Sequence, residues 1–242
     1  MKTVHVAGIV NEVNSFTPAK TLFGYWRLEQ LILKLLLVAC EHFDKKQQKE
    51  IIAAIFFSAK IHKGIYRADK VTPYIIHTLE VACYIIDQGI YDHQLIIAAI
   101  IHDSVEDSSE KDKKKVVHEI NRRWRSTVSR ITWIMTKNKK KRHLYWPRFI
   151  TEKQINVKWR AILLKVIDRI LNSETFYLFS DDEIKKKVED TLREFPALLR
   201  ELGITIKNLE ARGLIKNKKL LHISTRLGNQ LQYRLQRYTD RR

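Results

Sequence analysis

From Tyr25 onward, apolar residues return every three or four positions along the chain, the spacing that stacks side chains on one face of an α-helix. The pattern predicts helices at about 25–43, 45–62, 74–88, 92–108, 113–124, 126–136, 152–178, 181–202 and 217–238, and no segment alternates as a half-buried strand does. The punctuation agrees with these limits. Asp44 suits a helix N-cap, Gly89 and Gly203 follow predicted helix ends, and Pro73 and Pro147 sit where helices start or stop. The expected fold class is all-α, with one main helical unit followed by a helical tail.

The first two dozen residues read differently. A short apolar run from Val4 to Val10 gives way to Asn11, Asn14, Ser15 and Pro18 before the first long helix, so residues 1–24 are expected to be an appendage. The stretch from Val6 to Pro18, with Gly8 and Asn14-Ser15-Phe16-Thr17-Pro18, faintly resembles the start of the microcystinase-C type metallopeptidases. It covers under a tenth of the chain and has Asn11 at that family's His, which implies a remnant without the chemistry.

Composition narrows the class. With 45 Lys and Arg against 27 Asp and Glu, the formal charge is +18, while 45% hydrophobic content is enough to build a core and excludes wholesale disorder. Seven Gly and four Pro are too few for the turns of an all-β sandwich. Cys40 and Cys83 lie in apolar helical runs, which predicts free thiols in a reducing compartment. The apolar stretch Leu31 to Cys40 is interrupted by Lys34 and is too short to span a bilayer, and the N-terminus lacks the layout of a signal peptide. The expectation is a soluble cytoplasmic protein with no membrane partner. Clusters at Lys111 to Lys115 and Lys137 to Arg142, with Arg226, Arg234, Arg237, Arg241 and Arg242 in the tail, suit nucleic acid, an anionic surface or a multiply phosphorylated small molecule. Each run by itself is more commonly a solvated face.

The chemistry concentrates in three places. The predicted helix 92–108 is apolar from Leu95 to Ile101 and then presents His102, Asp103, Glu106 and Asp107, which on a continuous helix fall within an arc of about 140°. Burying an imidazole and carboxylates without cationic partners costs several kcal/mol. A divalent metal is the economical partner, because His nitrogen and Asp oxygen are natural ligands for Mn²⁺, Zn²⁺ or Fe²⁺. Lys165, Asp168 and Asn172 form a second polar stripe on an otherwise apolar helix. His77, four residues after Pro73, is a third isolated ligand-type residue. Any one of these is more often a satisfied core residue, but three on three apolar helices favour a site.

The pair His102-Asp103, with a preceding His on another helix and a distant Asp, resembles the HD phosphohydrolase signature. The ordered blocks Arg67, Pro73-Tyr74-Ile75-x-His77, Ala98-Ala99-x-x-His102-Asp103-x-x-Glu106-Asp107, Thr136-Lys137 and Lys165-x-x-Asp168-Arg169-x-x-Asn172-x-x-Thr175 are similar to the hydrolase domain of the RelA/SpoT alarmone enzymes, over about residues 45–178. The resemblance implies that His77, His102, Asp103 and Asp168 hold one Mn²⁺ per chain, and that Glu106 and Asp107 position or deprotonate the attacking water. It further implies that Arg67 packs near the purine ring and that Asn172 and Thr175 line the sugar and phosphate. Lys165 precedes the metal Asp as in that family, and Lys137 is a candidate pyrophosphate contact. Ile65, Ala68 and Thr78 depart from the family pattern near a loop one residue longer than usual, where Lys70 stands in for a missing Lys.

The domains implied are an appendage at 1–24, an HD hydrolase domain at 25–180 and a basic helical region at 181–242. About sixty residues follow Thr175, too few for the family's synthetase domain, so a single-function hydrolase is implied. The expected reaction is removal of the 3′-pyrophosphate from ppGpp or pppGpp. Within the same chemistry, the alternative is a phosphatase on another phosphorylated nucleotide such as NADPH. From another class, the rival is a basic nucleic-acid-binding protein on a degenerate HD scaffold. The oligomeric state is left open.

Overall fold

A computed structural model of the chain describes residues 6–109, 111–137, 144–215 and 217–239. Val4, the basic residues Lys139 to Arg142, and Arg241 and Arg242 therefore lie outside the described residues. The described residues form ten α-helices and no strand, so the all-α expectation holds. The helices are α1 (Val6–Phe16), α2 (Leu22–His42), α3 (Lys45–Ile61), α4 (Tyr74–Asp87), α5 (His93–Ile101), α6 (Lys113–Met135), α7 (Tyr145–Thr151), α8 (Ile155–Ser173), α9 (Asp181–Ala211) and α10 (Ile223–Thr239). They fall into two compact units, one holding α1 to α6, the other α7 to α10 together with Gln88–Ile90.

In the first unit α5 is the central element. All seven residues from Leu95 to Ile101 are buried, and the helix packs against α3, α4 and α6. Its start is fixed by Asp92, whose side chain accepts a hydrogen bond from the Leu95 amide at 2.8 Å. A capping box between Asp44 and Gln47 starts α3. The predicted break near residue 125 is real, because Arg125 interrupts α6 with φ 67° and ψ 177°. The predicted helix 92–108 is corrected: α5 stops at Ile101, and residues 102–108 continue as turns. There the Ser104 amide bonds the Ile101 carbonyl, three residues back, and the buried run gives way to polar residues. The helical arc drawn through His102, Asp103, Glu106 and Asp107 therefore does not apply.

Within the expected N-terminal appendage, residues 6–16 form a helix. Ile9, Val10 and Val13 of α1 are buried, and the helix packs on α2 and α3. Thr17 ties the following turn to the α3–α4 loop, its hydroxyl donating to the His62 carbonyl at 3.1 Å and accepting from the Gly64 amide at 2.7 Å. Each buried aliphatic side chain is worth roughly 1.5–3 kcal/mol relative to exposure. A chain beginning at Tyr25 is therefore expected to melt at a lower temperature than the full chain. An unchanged melting curve in a calorimeter would show that this packing contributes nothing.

In the second unit α8 is the buried member, packed against α7, α9 and α10, with every residue from Ala161 to Asp168 buried. The helix α7, not expected from periodicity, is held by aromatic contacts among Tyr145, Trp146 and Phe149, with Trp146 edge-on to Phe195 of α9. Gly203 does not end α9, which runs on to Ala211. Its lack of a side chain serves packing instead, since a Cβ there would lie 3.1 Å from the Ser224 hydroxyl of α10. Gly89 does occupy a backbone turn with φ 72°.

Candidate metal centre

The first unit brings His77, His102 and Asp103 together. His77 comes from the first turn of α4 and His102 from the residue closing α5, and both rings are buried, with 1% and 0% exposure. Their centroids lie 5.5 Å apart with the planes inclined at 68°. The Nδ1 of His102 lies 2.8 Å from the Ala99 carbonyl. A carbonyl only accepts, so Nδ1 carries the proton and Nε2 is turned the other way. That Nε2 lies 2.9 Å from Oδ2 of Asp103. Two lone-pair atoms this close in a buried setting need a cation between or beside them, a proton or a metal. No hydrogen bond satisfies Nε2 of His102 or Nδ1 of His77, although both rings have other contacts.

Around these residues the first unit places two groups to which the sequence attached no role. Tyr74 donates its hydroxyl to Oδ2 of Asp103 at 2.6 Å, and its ring lies edge-on to His77 at 5.7 Å. His62, just past the end of α3, is buried, with Nδ1 at 2.9 Å from the Ser58 carbonyl and Nε2 at 3.2 Å from Oδ2 of Asp107. Asp107 sits in the turn after α5, where its amide bonds the Asp103 carbonyl at 2.9 Å. Glu106 beside it is half-buried. The sequence signal for His62 and Tyr74 was a polar atom on a residue that otherwise reads as core.

The predicted nucleotide contacts Arg67 and Lys70 lie in the α3–α4 loop. Arg67 is half-buried and Lys70 exposed. The loop is closed by Asp69, which accepts from the amides of Val71 and Thr72 and from the Thr72 hydroxyl. Burial opposes its charge, but those hydrogen bonds prevail and hold its carboxyl below the usual range. Lys70 adopts a left-handed backbone with φ 60°.

In the second unit, α8 gathers Lys165, Asp168 and Asn172 as the stripe predicted. Lys165 donates to Oδ2 of Asp168 at 2.8 Å and Asn172 to Oδ1 at 2.6 Å, while the Thr175 hydroxyl donates to the Asn172 carbonyl. Burial works against the Lys165 charge, yet the Asp168 carboxylate outweighs it and the ammonium is held above its ordinary pKa. Lys137 and Lys165 approach the Tyr145 ring of α7 at 5.6 and 5.7 Å. Tyr145 was not foreseen because α7 was not.

His77, His102 and Asp168 are thus all buried residues of metal-ligand type, and the donor set of imidazole nitrogen and carboxylate oxygen suits a divalent transition metal. Among the described residues, no helix is long and apolar enough to cross a membrane.

No protein-family model matches the chain. Among curated proteins it is 32% identical over 195 residues to the guanosine-3′,5′-bis(diphosphate) 3′-pyrophosphohydrolase of Aquifex aeolicus, a match covering 76% of this chain and 25% of that protein. It is 25% identical over 165 residues to the bifunctional (p)ppGpp synthase/hydrolase SpoT of Escherichia coli K12, covering 67% of this chain and 23% of the relative. It is 26% identical over 159 residues to a GTP pyrophosphokinase of Myxococcus xanthus, covering 63% and 20%. The chain spans about a quarter of the length of the curated relatives it matches. A continuous match to three-quarters of a 242-residue chain necessarily takes in every position from His77 to Asp168. With ten helices and no strand among its described residues, and sharing with these proteins the stretch that carries His77, His102-Asp103 and Asp168, the chain is a relative of the RelA/SpoT-type alarmone hydrolases of the HD class.

Proposed function

We propose that the chain hydrolyses the 3′-pyrophosphate of ppGpp and pppGpp, adding water to give GDP or GTP and pyrophosphate. The observation that carries this reading is the His102–Asp103 pair beside His77: Nδ1 of His102 is tied back to its own helix, leaving Nε2 and a carboxylate oxygen 2.9 Å apart in a buried setting. His77, His102, Asp103 and Asp168 would hold one divalent ion, manganese in this reading, and the chemistry is assigned to residues 25–180. When bound, the ion supplies Lewis acidity at a phosphoryl oxygen and acidifies water.

The chain's own residues supply the rest. Glu106 and Asp107 follow the ligand pair within one turn of chain and take the proton from the attacking water. Arg67 offers a planar guanidinium to the purine, with Lys70 in the same loop as a phosphate contact. Lys137, Lys165, Asn172 and Thr175 bind the sugar and phosphates, and Lys165 and Asn172 also fix both oxygens of Asp168. The relatives' names, which include a (p)ppGpp hydrolase matched over three-quarters of this chain, support the substrate class.

The test is a product assay. Purified chain is incubated with Mn²⁺ and ppGpp, and GDP and pyrophosphate are measured separately, with NADPH and single-stranded RNA as comparison ligands. Pyrophosphate release that disappears with a chelator and returns with Mn²⁺ is the expected result. Release of phosphate from NADPH alone, or RNA binding without any turnover, would overturn it.

A further inference from the structure

The ligand set and the acidic pair leave two polar groups at this centre without a task. Tyr74 and His62 belong to neither set. Each nevertheless directs a polar atom at one carboxylate of the centre, and their rings meet at 4.9 Å. The hydroxyl of Tyr74 reaches Oδ2 of Asp103 at 2.6 Å, the same oxygen that lies 2.9 Å from Nε2 of His102. Nε2 of His62 reaches Oδ2 of Asp107 at 3.2 Å.

The chemistry of the two contacts differs. A phenol donates to a carboxylate, so Tyr74 fixes the rotation of Asp103 about its terminal torsion, which otherwise is broad. The ring of Tyr74 also lies against the His77 ring at 5.7 Å, inclined at 71°. One side chain thereby steadies a residue on α4 and a residue just past α5. His62 is set by Ser58, whose carbonyl is 2.9 Å and hydroxyl 3.2 Å from Nδ1. With Nδ1 committed to a carbonyl, Nε2 faces the Asp107 carboxylate, 3.2 Å from Oδ2, without a hydrogen bond satisfying it in this structure.

We propose that Tyr74 and His62 are positioning residues with separate targets: Tyr74 aims Asp103 at the metal, and His62 aims Asp107 at the water that attacks the substrate. The proposal rests on the metal-hydrolase reading given above and deepens it. Groups that orient a metal ligand typically change metal affinity by 10- to 100-fold when removed. A group that orients a base acts on turnover and leaves the metal in place.

The experiment crosses two variants with two readouts on the full chain. Equilibrium dialysis with Mn²⁺ alone measures metal affinity, and the same preparations are assayed for pyrophosphate release from ppGpp. Tyr74→Phe keeps the ring and loses the hydroxyl, so its metal-free melting temperature should match that of the natural chain while its Kd for Mn²⁺ rises about 10- to 100-fold. His62→Gln should keep the natural Kd for Mn²⁺ and the natural KM, and lose about 10-fold or more in kcat. If His62 acts through Asp107, the double variant His62→Gln with Asp107→Asn should be no slower than Asp107→Asn alone. His62→Asn serves as the second variant should His62→Gln fold poorly.

An unchanged Mn²⁺ affinity in Tyr74→Phe overturns the role of Tyr74. Additive losses in the double variant overturn that of His62. A natural chain that takes up Mn²⁺ but releases no pyrophosphate sinks the substrate reading while the Tyr74 result still stands. A natural chain that takes up no metal overturns the metal reading and this inference together.

Discussion

On the metal-hydrolase reading, the His102→Ala chain is expected to purify without divalent metal and to lose pyrophosphate release by on the order of 10³-fold or more, since a bound ion would be what acidifies water near neutral pH. The argument starts from one tautomer. The Ala99 carbonyl accepts a hydrogen bond from Nδ1–H, so the lone pair of Nε2 is left to whatever cation lies on the side of Asp103 and His77. Alanine removes that donor atom and leaves the carboxylate of Asp103 with the Tyr74 hydroxyl as a neutral neighbour. Added Mn²⁺ should raise the melting temperature of the natural chain, because a ligand that binds only the folded state stabilises it in proportion to the logarithm of its saturation. It should leave that of His102→Ala unmoved. Elemental analysis showing equal metal in the two proteins, or an equal Mn²⁺-induced rise in melting temperature, would remove His102 from the ligand set.

A second large effect is expected at Glu106. Glu106→Gln preserves shape and hydrogen-bonding reach but cannot accept a proton, so the variant should keep its metal and its affinity for ppGpp and lose roughly 10²-fold or more in turnover. The residue is half-buried in the turn after α5, three positions beyond Asp103 and clear of the tie between Asp107 and His62. If Glu106 served only to balance nearby cations, the substitution would lower the melting temperature and spare the rate. Metal content, melting temperature and pyrophosphate release measured on one preparation separate the two cases. Full turnover with the metal retained would leave Asp107 as the base.

These two expectations differ in what supports them. For His102 the three-dimensional surroundings decide the tautomer, and with it the direction of the lone pair. For Glu106 the position after the His-Asp pair was legible in the sequence, while the turn that carries it was not.

Much of the fold is local and was therefore readable. The three- and four-residue recurrence of apolar positions depends only on helix geometry, so it located α2, α3, α4 and α6 closely, down to the break at Arg125, and the start of α5. The capping chemistry of Asp44 is likewise contained within four residues. Residue types carried the candidate chemistry as well, because a lone imidazole or carboxylate in an apolar run is costly wherever it is buried. Lys165, Asp168 and Asn172 show this most directly, since a spacing of three and four along one helix is enough to bring them into contact.

What failed were features set by contacts distant in sequence. The polar residues after Ile101 continue a helical spacing on paper, but the chain leaves the helix there as His102 and Ser104 bond back to Ala99 and Ile101. Gly203 resembled a stop signal, and only the approach of Ser224 from α10 shows that its missing side chain makes room for a neighbouring helix. Short α7 is held by aromatic packing with α9, which no local period records. His62 and Tyr74 were visible as residues but carried no visible role. Their partners lie 45 and 29 positions away, and a contact across that separation exists only once α3, α4 and α5 have packed. Sequence thus determined which groups the chain must satisfy when it buries them, and the tertiary structure decided which carboxylate each one meets, because helix geometry fixes neighbours within a turn and packing alone fixes those beyond it.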